Sequence, residues 1–153
     1  MVHIIDHLYI DAAPDFACGL RCENRLLEYL HGGVEVVISL RTFEPLDSAY
    51  QTLRMEFHHL PIEDFDIPSE QDIRTFIRLM EQNQGRKTLV HCIAGRGRSG
   101  TMAALYLVYR GFSGEEAVRY VRERRPGAIE TPEQEALVLE YRFPDRPAAR
   151  RNS

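Results

Sequence analysis

The sequence is poor in cysteine, almost without lysine, free of long apolar runs and short of positive charge, and each shortage excludes something. Three cysteines in 153 residues, an odd number, make no disulfide framework, so a reducing, cytoplasmic setting is expected. The longest uninterrupted apolar run near the glycine-rich centre, Met102 to Tyr109, is far shorter than the roughly 20 residues that cross a bilayer, so no stable membrane insertion is expected. The opening MVHIIDHLYID has neither a basic n-region nor a long apolar h-region, and no signal peptide is expected. A formal net charge of −4 argues against a general nucleic-acid binder, which carries a basic surplus. Eighteen of the 19 basic residues are arginine and one, Lys87, is lysine, a bias too global to mark a site.

What is present reads as an ordinary globular chain: 44% apolar and 27% charged, with no internal repeat or low-complexity block. One domain is expected over residues 1–143, with 144–153 as a flexible tail. HIIDHLYID gives two short strand pieces with a turn near Asp6, and CENRLLEYLHGG gives a helix stopped by Gly32 and Gly33. VEVVISL, Val34 to Leu40, is a β-branched run suited to a buried strand, and RMEFHHLPI, Arg54 to Ile62, is a second strand. Ser69 caps a helix through about Gln84, in which Ile73, Phe76, Ile77 and Met80 share a face. KTLVHC is a third buried strand, and Ser99 to Arg110 an apolar helix. Ser113 and Thr131 cap two further helices, the second with Pro132 at its first position. Strands alternating with helices predict an α/β fold: a central, mostly parallel sheet of four to five strands with helices on both faces. Such sheets bind ligands beyond the carboxyl ends of their strands, and Cys92 sits at such an end.

The segment HCIAGRGRSG, His91 to Gly100, carries the chemistry. Its glycines permit backbone turns that a side chain would block, so the amides of Ile93, Ala94, Gly95, Arg96, Gly97 and Arg98 can converge on one anion. The helix that follows adds its N-terminal dipole. Arg98, six residues after Cys92, can close over the anion with a fork of donors that suits phosphate. A helix N-terminus and a guanidinium favour thiolate over thiol, so Cys92 is expected to be a nucleophile facing an oxyanion cage. Ser99 can donate its hydroxyl to that sulfur when sulfur leaves, and His91, facing away from Cys92, can fix the loop by bonding backbone groups.

The pattern His-Cys-x5-Arg-Ser, here His91, Cys92, Arg98 and Ser99, resembles the signature of the cysteine-based protein tyrosine phosphatase superfamily. Together with the downstream RERRPGAIETPEQEALVLEY, it is similar to the small dual-specificity branch, in its compact atypical and archaeal-type members, over about residues 34 to 142. The resemblance implies a dual-specificity phosphatase-like fold and hydrolysis of phosphomonoesters through a cysteinyl-phosphate, without metal or other cofactor. The implied partners are phosphorylated proteins or small phosphoesters, not nucleic acid.

Such a reaction needs a proton donor for the leaving oxygen, worth roughly 10²–10⁴ in rate. In LPIEDFDIPSEQD, Glu63, Asp64 and Asp66 compete for the role. The family's Pro-Asp-Phe followed by a proline implies Asp64, before Phe65 and Pro68, ahead of Asp66, although Glu63 stands where the family has proline. Related enzymes position the hydrolytic water with Gln or Glu from a later loop, which implies Glu130 or Gln134; Gln134 is equally readable as an exposed helix residue. Arg96 adds a rim charge of the kind found in relatives acting on inositol phosphates or phosphoinositides, but Ile93 replaces the lysine those relatives often carry. That lipid reading is the alternative function, and a catalytically silent phosphate-binding module is a third. Arg41 either meets substrate or pairs with Glu44. Cys18 and Cys22 read as small buried hydrophobes rather than resolving thiols. His58-His59 and His3/His7 lack a third ligand, so no metal site is expected.

Overall fold

The computed structural model describes residues 1–15 and 22–144, the side chains of residues 22 and 23 excepted. Cys18, the Cys22 side chain and the expected tail from residue 145 onward lie outside the described residues. Strands β1 (Val2–Ile5) and β2 (Leu8–Asp11) form an antiparallel hairpin whose turn holds Asp6 at φ 50°. There follow α1 (Cys22–His31), β3 (Val36–Ser39), α2 (Asp47–Thr52), β4 (Glu56–His59), α3 (Glu70–Gln82), β5 (Thr88–His91), α4 (Gly97–Tyr109), α5 (Gly114–Arg124) and α6 (Pro132–Glu140). The five strands lie in the order β1-β2-β5-β3-β4, and all pairs except β1–β2 are parallel. This is the mostly parallel α/β sheet expected.

Period-two alternation along the strands makes two cores. Leu8, Ile10, Val36, Ile38 and Val90 face one way, into a large cluster with residues of α3 to α6. Val37 and Leu89 face the other way and meet Tyr29 of α1 and Tyr50 of α2. α4 is buried almost all round, from Gly97 to Leu107, as an apolar helix inside the larger layer must be. α3, α5 and α6 start at Ser69, Ser113 and Thr131 with reciprocal capping boxes, each hydroxyl cap worth about 1 kcal/mol.

The segment expected as a strand from Arg54 to Ile62 is strand only over Glu56–His59. Arg54 turns at φ 60° on leaving α2, and Pro61 is tolerated beyond β4 because β4 is an edge strand and the missing N–H would face away from β3. Leu60 and Ile62 still donate to the carbonyls of Ser39 and Leu40. Parallel register sets Asp11, His91, Ser39 and His59 level at one edge. The loops that leave this edge build the site.

Candidate active site

The loop from Cys92 to Arg96 joins β5 to α4 at that edge. Four successive carbonyls are tied outward. Ile93 O accepts from Ala13 N (2.9 Å). Ala94 O accepts from Arg125 Nη2 (2.8 Å) and Gly95 O from Arg125 Nε (3.1 Å). Arg96 O accepts from Ile129 N (3.1 Å) and Gly100 N (3.0 Å). A trans peptide sets its N–H opposite its C=O, so the amides of residues 94–97 turn to the other side, where they can bind an anion. Gly95 sits at φ +73°, and a Cβ there would lie 2.3 Å from the carbonyl carbon of Asp11. Only glycine lets the loop press against the end of β2.

Cys92 is buried (3% exposed), and its Sγ lies 3.4 Å from Ser99 Oγ. Arg98 is also buried; Nη1 donates to Ile62 O (2.8 Å) and Nη2 lies 3.5 Å from Asp64 Oδ1. Its Nε has no partner among the described residues. A buried guanidinium N–H left open costs about 1–3 kcal/mol, and an oxyanion in the loop would satisfy it. Arg98 thus joins the cysteine loop to the acidic loop, residues 60–69.

Of the three acidic-loop carboxylates, Asp64 faces Arg98 and also accepts from Phe65 N (3.0 Å). Asp66 Oδ1 instead accepts from Ile67 N (2.8 Å) within its own turn, and Glu63 is exposed. Gln134, one of whose two readings was an exposed helix residue, is fully buried. Its Oε1 accepts from Glu130 N and Thr131 N, and its Nε2 donates to Asp66 O (3.1 Å). Residue 134 is the third position of α6, so its amide folds back to cap the helix. The exposed Glu130 lays its carboxylate over Gly97, where a Cβ would meet Oε1 at 2.6 Å. Arg96 is exposed at the rim, as are Phe43 (75%), Phe65 (61%) and Ile93 (42%). These apolar side chains stand on the loops that follow β3, β4 and β5.

Behind the loop lies a buried polar cluster. His91 Nδ1 faces Cys92 O at 3.2 Å, and a carbonyl only accepts, so Nδ1 carries the proton. Nε2 then accepts from the Tyr50 hydroxyl (3.0 Å). Burial drives the His91 pKa down to about 4, against the pull of Glu44, whose Oε1 is 3.5 Å away. Burial likewise raises the Tyr50 pKa, so the phenol remains a donor. Glu44 is held below the usual carboxylate range: burial opposes its ionisation, but hydrogen bonds from Arg41 and Leu46 N outweigh it. Arg41, one of whose readings was substrate contact, is instead buried and bonded to Glu44 and Asp15.

The histidines weighed for metal are engaged elsewhere: His3 with Asp6 O, His7 with Met80 O, His58 with Glu56 and His59 with Arg41 O. No group of three or more His, Cys, Asp or Glu among the described residues is placed to hold a metal ion. No helix among them is long and apolar enough to cross a membrane.

Sequence reasoning missed Arg125, which lies in an arginine run that looks like a solvated helix end. It also missed the joint burial of Arg41, Glu44 and Tyr50. The one available signal was the position of Arg125 directly before Pro126-Gly127, where a chain turns back toward the sheet.

Residues 19–138 match the family model described as Swiss Army Knife protein, DSP-PTPase phosphatase domain. The chain is 32% identical over 124 residues to the tyrosine-protein phosphatase CDC14 of Candida albicans, covering 77% of this chain and 22% of that one. It is 35% identical over 116 residues to the phosphatidylglycerophosphate phosphatase PTPMT2 of Arabidopsis thaliana, covering 71% and 51%. These curated relatives are therefore much longer than the part that this chain spans. Among solved structures it is similar to Tk-PTP in its active form, with a TM-score of 0.76, 32% identity and coverage of 92% and 96% of the two chains.

Proposed function

We propose that this chain, which belongs to the DSP-PTPase phosphatase family, is a dual-specificity phosphomonoester hydrolase working through a cysteinyl-phosphate, with residues 1–143 as its phosphatase domain. The observation that carries the reading is the sulfur beside Ser99 in a loop with its carbonyls tied outward, under an arginine with an open, buried N–H. An oxyanion supplies what that arrangement lacks.

In the first step the Cys92 thiolate attacks phosphorus as the P–O bond to the leaving group breaks. The amides of Ile93 to Arg98 and the Arg98 guanidinium hold the equatorial oxygens. Asp64 gives its proton to the departing oxygen. In the second step water attacks the phosphorus of the thiophosphate, Asp64 takes a proton from it, and sulfur leaves as thiolate, eased by the Ser99 hydroxyl. Both Asp64 and Asp66 accept from the next residue's N–H, and Asp64 is favoured because it also faces Arg98.

The exposed Phe43, Phe65 and Ile93 favour a phosphate carried on an apolar or aromatic body, such as a phosphotyrosine side chain, with phosphoserine and phosphothreonine also admitted. The inositol phosphate or phosphoinositide alternative has Arg96 and the lipid-acting relative PTPMT2 in its favour. Against it, Arg41 and Arg125 are spent on protein partners, which leaves little charge for further phosphates.

The test is phosphate release from an aryl phosphate with a metal chelator present. Turnover is expected, and Cys92→Ser should abolish it while retaining phosphate binding. Asp64→Ala should slow alkyl phosphates far more than good aryl leaving groups. Turnover by the Cys92→Ser protein would refute the mechanism. Parallel rates on phosphotyrosine and phosphothreonine peptides and on a phosphoinositide decide the substrate class.

A further inference from the structure

The acidic loop is held at two points on either side of Asp64. Upstream, Arg98 Nη1 binds Ile62 O at 2.8 Å. Downstream, Gln134 Nε2 binds Asp66 O at 3.1 Å. Between them Phe65 takes the left-handed region, φ 63°, which a bulky residue occupies only when its surroundings impose it.

Gln134 is badly placed to orient a water. Its oxygen already accepts two backbone N–H groups, from Glu130 and Thr131. Those two donors also fix which end of the amide is oxygen, so the NH₂ end must face Asp66. The side chain has no exposed surface, and it sits in the capped first turn of α6, itself packed against α4 and α5.

We propose that Gln134 is a positioning residue, a latch that ties the acid-bearing loop to the helical layer and so holds Asp64 over the cysteine loop. The inference rests on Asp64 being the proton donor. The latch acts on leaving-group protonation and not on the later attack of water.

Gln134→Glu is the matched test. A carboxylate at this position keeps the oxygen that accepts both cap N–H groups and the size of the side chain, but it turns an oxygen toward Asp66 O and removes the donor. Expected are a fall of about tenfold or more in kcat/KM on an alkyl phosphate and less than about threefold on p-nitrophenyl phosphate, part of the 10²–10⁴ that an acid supplies. In an Asp64→Ala background the same change should cost under about twofold, because residues acting through one group are not additive. Gln134→Met, uncharged and of similar length, should show the same selectivity and guards against a buried carboxylate disturbing the fold.

Equal loss on both substrates would overturn the latch. So would a fall in kcat with kcat/KM unchanged, which is the mark of a water-positioning role. If Asp64→Ala itself lost alkyl and aryl substrates alike, the assignment of Asp64 would fall and the latch with it. If Asp64→Ala is selective and the Gln134 variants are not, the latch alone falls.

Discussion

His91 should make this protein acid-labile well above the range of carboxylate titration. In the fold its imidazole is fully buried and neutral, with a pKa pushed down to about 4 from an ordinary 6.5. A base with a depressed folded value is protonated first in the unfolded chain. Its contribution to stability is therefore present above about 6.5 and is lost as pH falls from there toward 4. At pH 5.0 the unfolded imidazole gains RT ln(1 + 10^1.5), about 2 kcal/mol, while the folded one gains less than about 0.1. At pH 7.5 both terms are near zero, so stability should drop by about 2 kcal/mol between the two. That corresponds to roughly 4–8 °C in Tm for a domain of this size. Glu44, with an ordinary value of 4.5 that the fold lowers, adds its own loss only at more acid pH. Urea unfolding at pH 7.5 and 5.0 measures the drop. His91→Asn keeps a donor close to the Cys92 carbonyl but cannot titrate; it should be less stable at both pH values, with the pH-dependent difference reduced by about 2 kcal/mol. If wild type and variant lose the same amount on acidification, the imidazole is not being held neutral and the reasoning is wrong.

Two further predictions concern the backbone of the cysteine loop. Gly95→Ala places a methyl 2.3 Å from the Asp11 carbonyl carbon at φ +73°, which should cost about 2–4 kcal/mol and weaken inorganic phosphate as a competitive inhibitor at least about tenfold; thermal unfolding and the inhibition constant read the two effects. Arg125→Lys removes the fork that spans Ala94 O and Gly95 O, since one ammonium does not reproduce that planar geometry. Its kcat/KM should fall about tenfold on alkyl and aryl phosphates alike, because in the proposed mechanism the loop binds the phosphoryl group and not the leaving group, and a substrate-selective fall would count against this role.

Most of the fold was legible because local rules and tertiary packing agree. The β-branched run at Val36 to Ile38 is strand, Ser69, Ser113 and Thr131 cap the helices they precede, and the glycines after Cys92 mark a turn before a helix. The expected second strand is longer than β4 at both ends because apolar content continues beyond Glu56–His59, across Pro61 and back into the Arg54 turn. Cys92, Arg98 and Ser99 were legible as a group because one loop and the first turn of one helix contain all of them. Gln134 was less legible: its spacing after Thr131 gives a cap, but nothing local shows that the amide also reaches residue 66, 68 positions earlier.

The shape of the cysteine loop is therefore a tertiary product more than a glycine motif. Glycine makes the required turns accessible, but it also makes many others accessible. What selects one of them is that the carbonyls of residues 93 to 96 are each claimed by a distant donor: Ala13 after β2, Arg125 at the end of α5, and Ile129 before α6. Each claim turns a peptide plane, and with it the N–H on the opposite side of that plane. A loop of the same sequence without those donors would be free to satisfy its amides on its own carbonyls and present no cage. Helix α5 and the residues before α6 pack on α4, so the shape of the loop derives from the core that supports it.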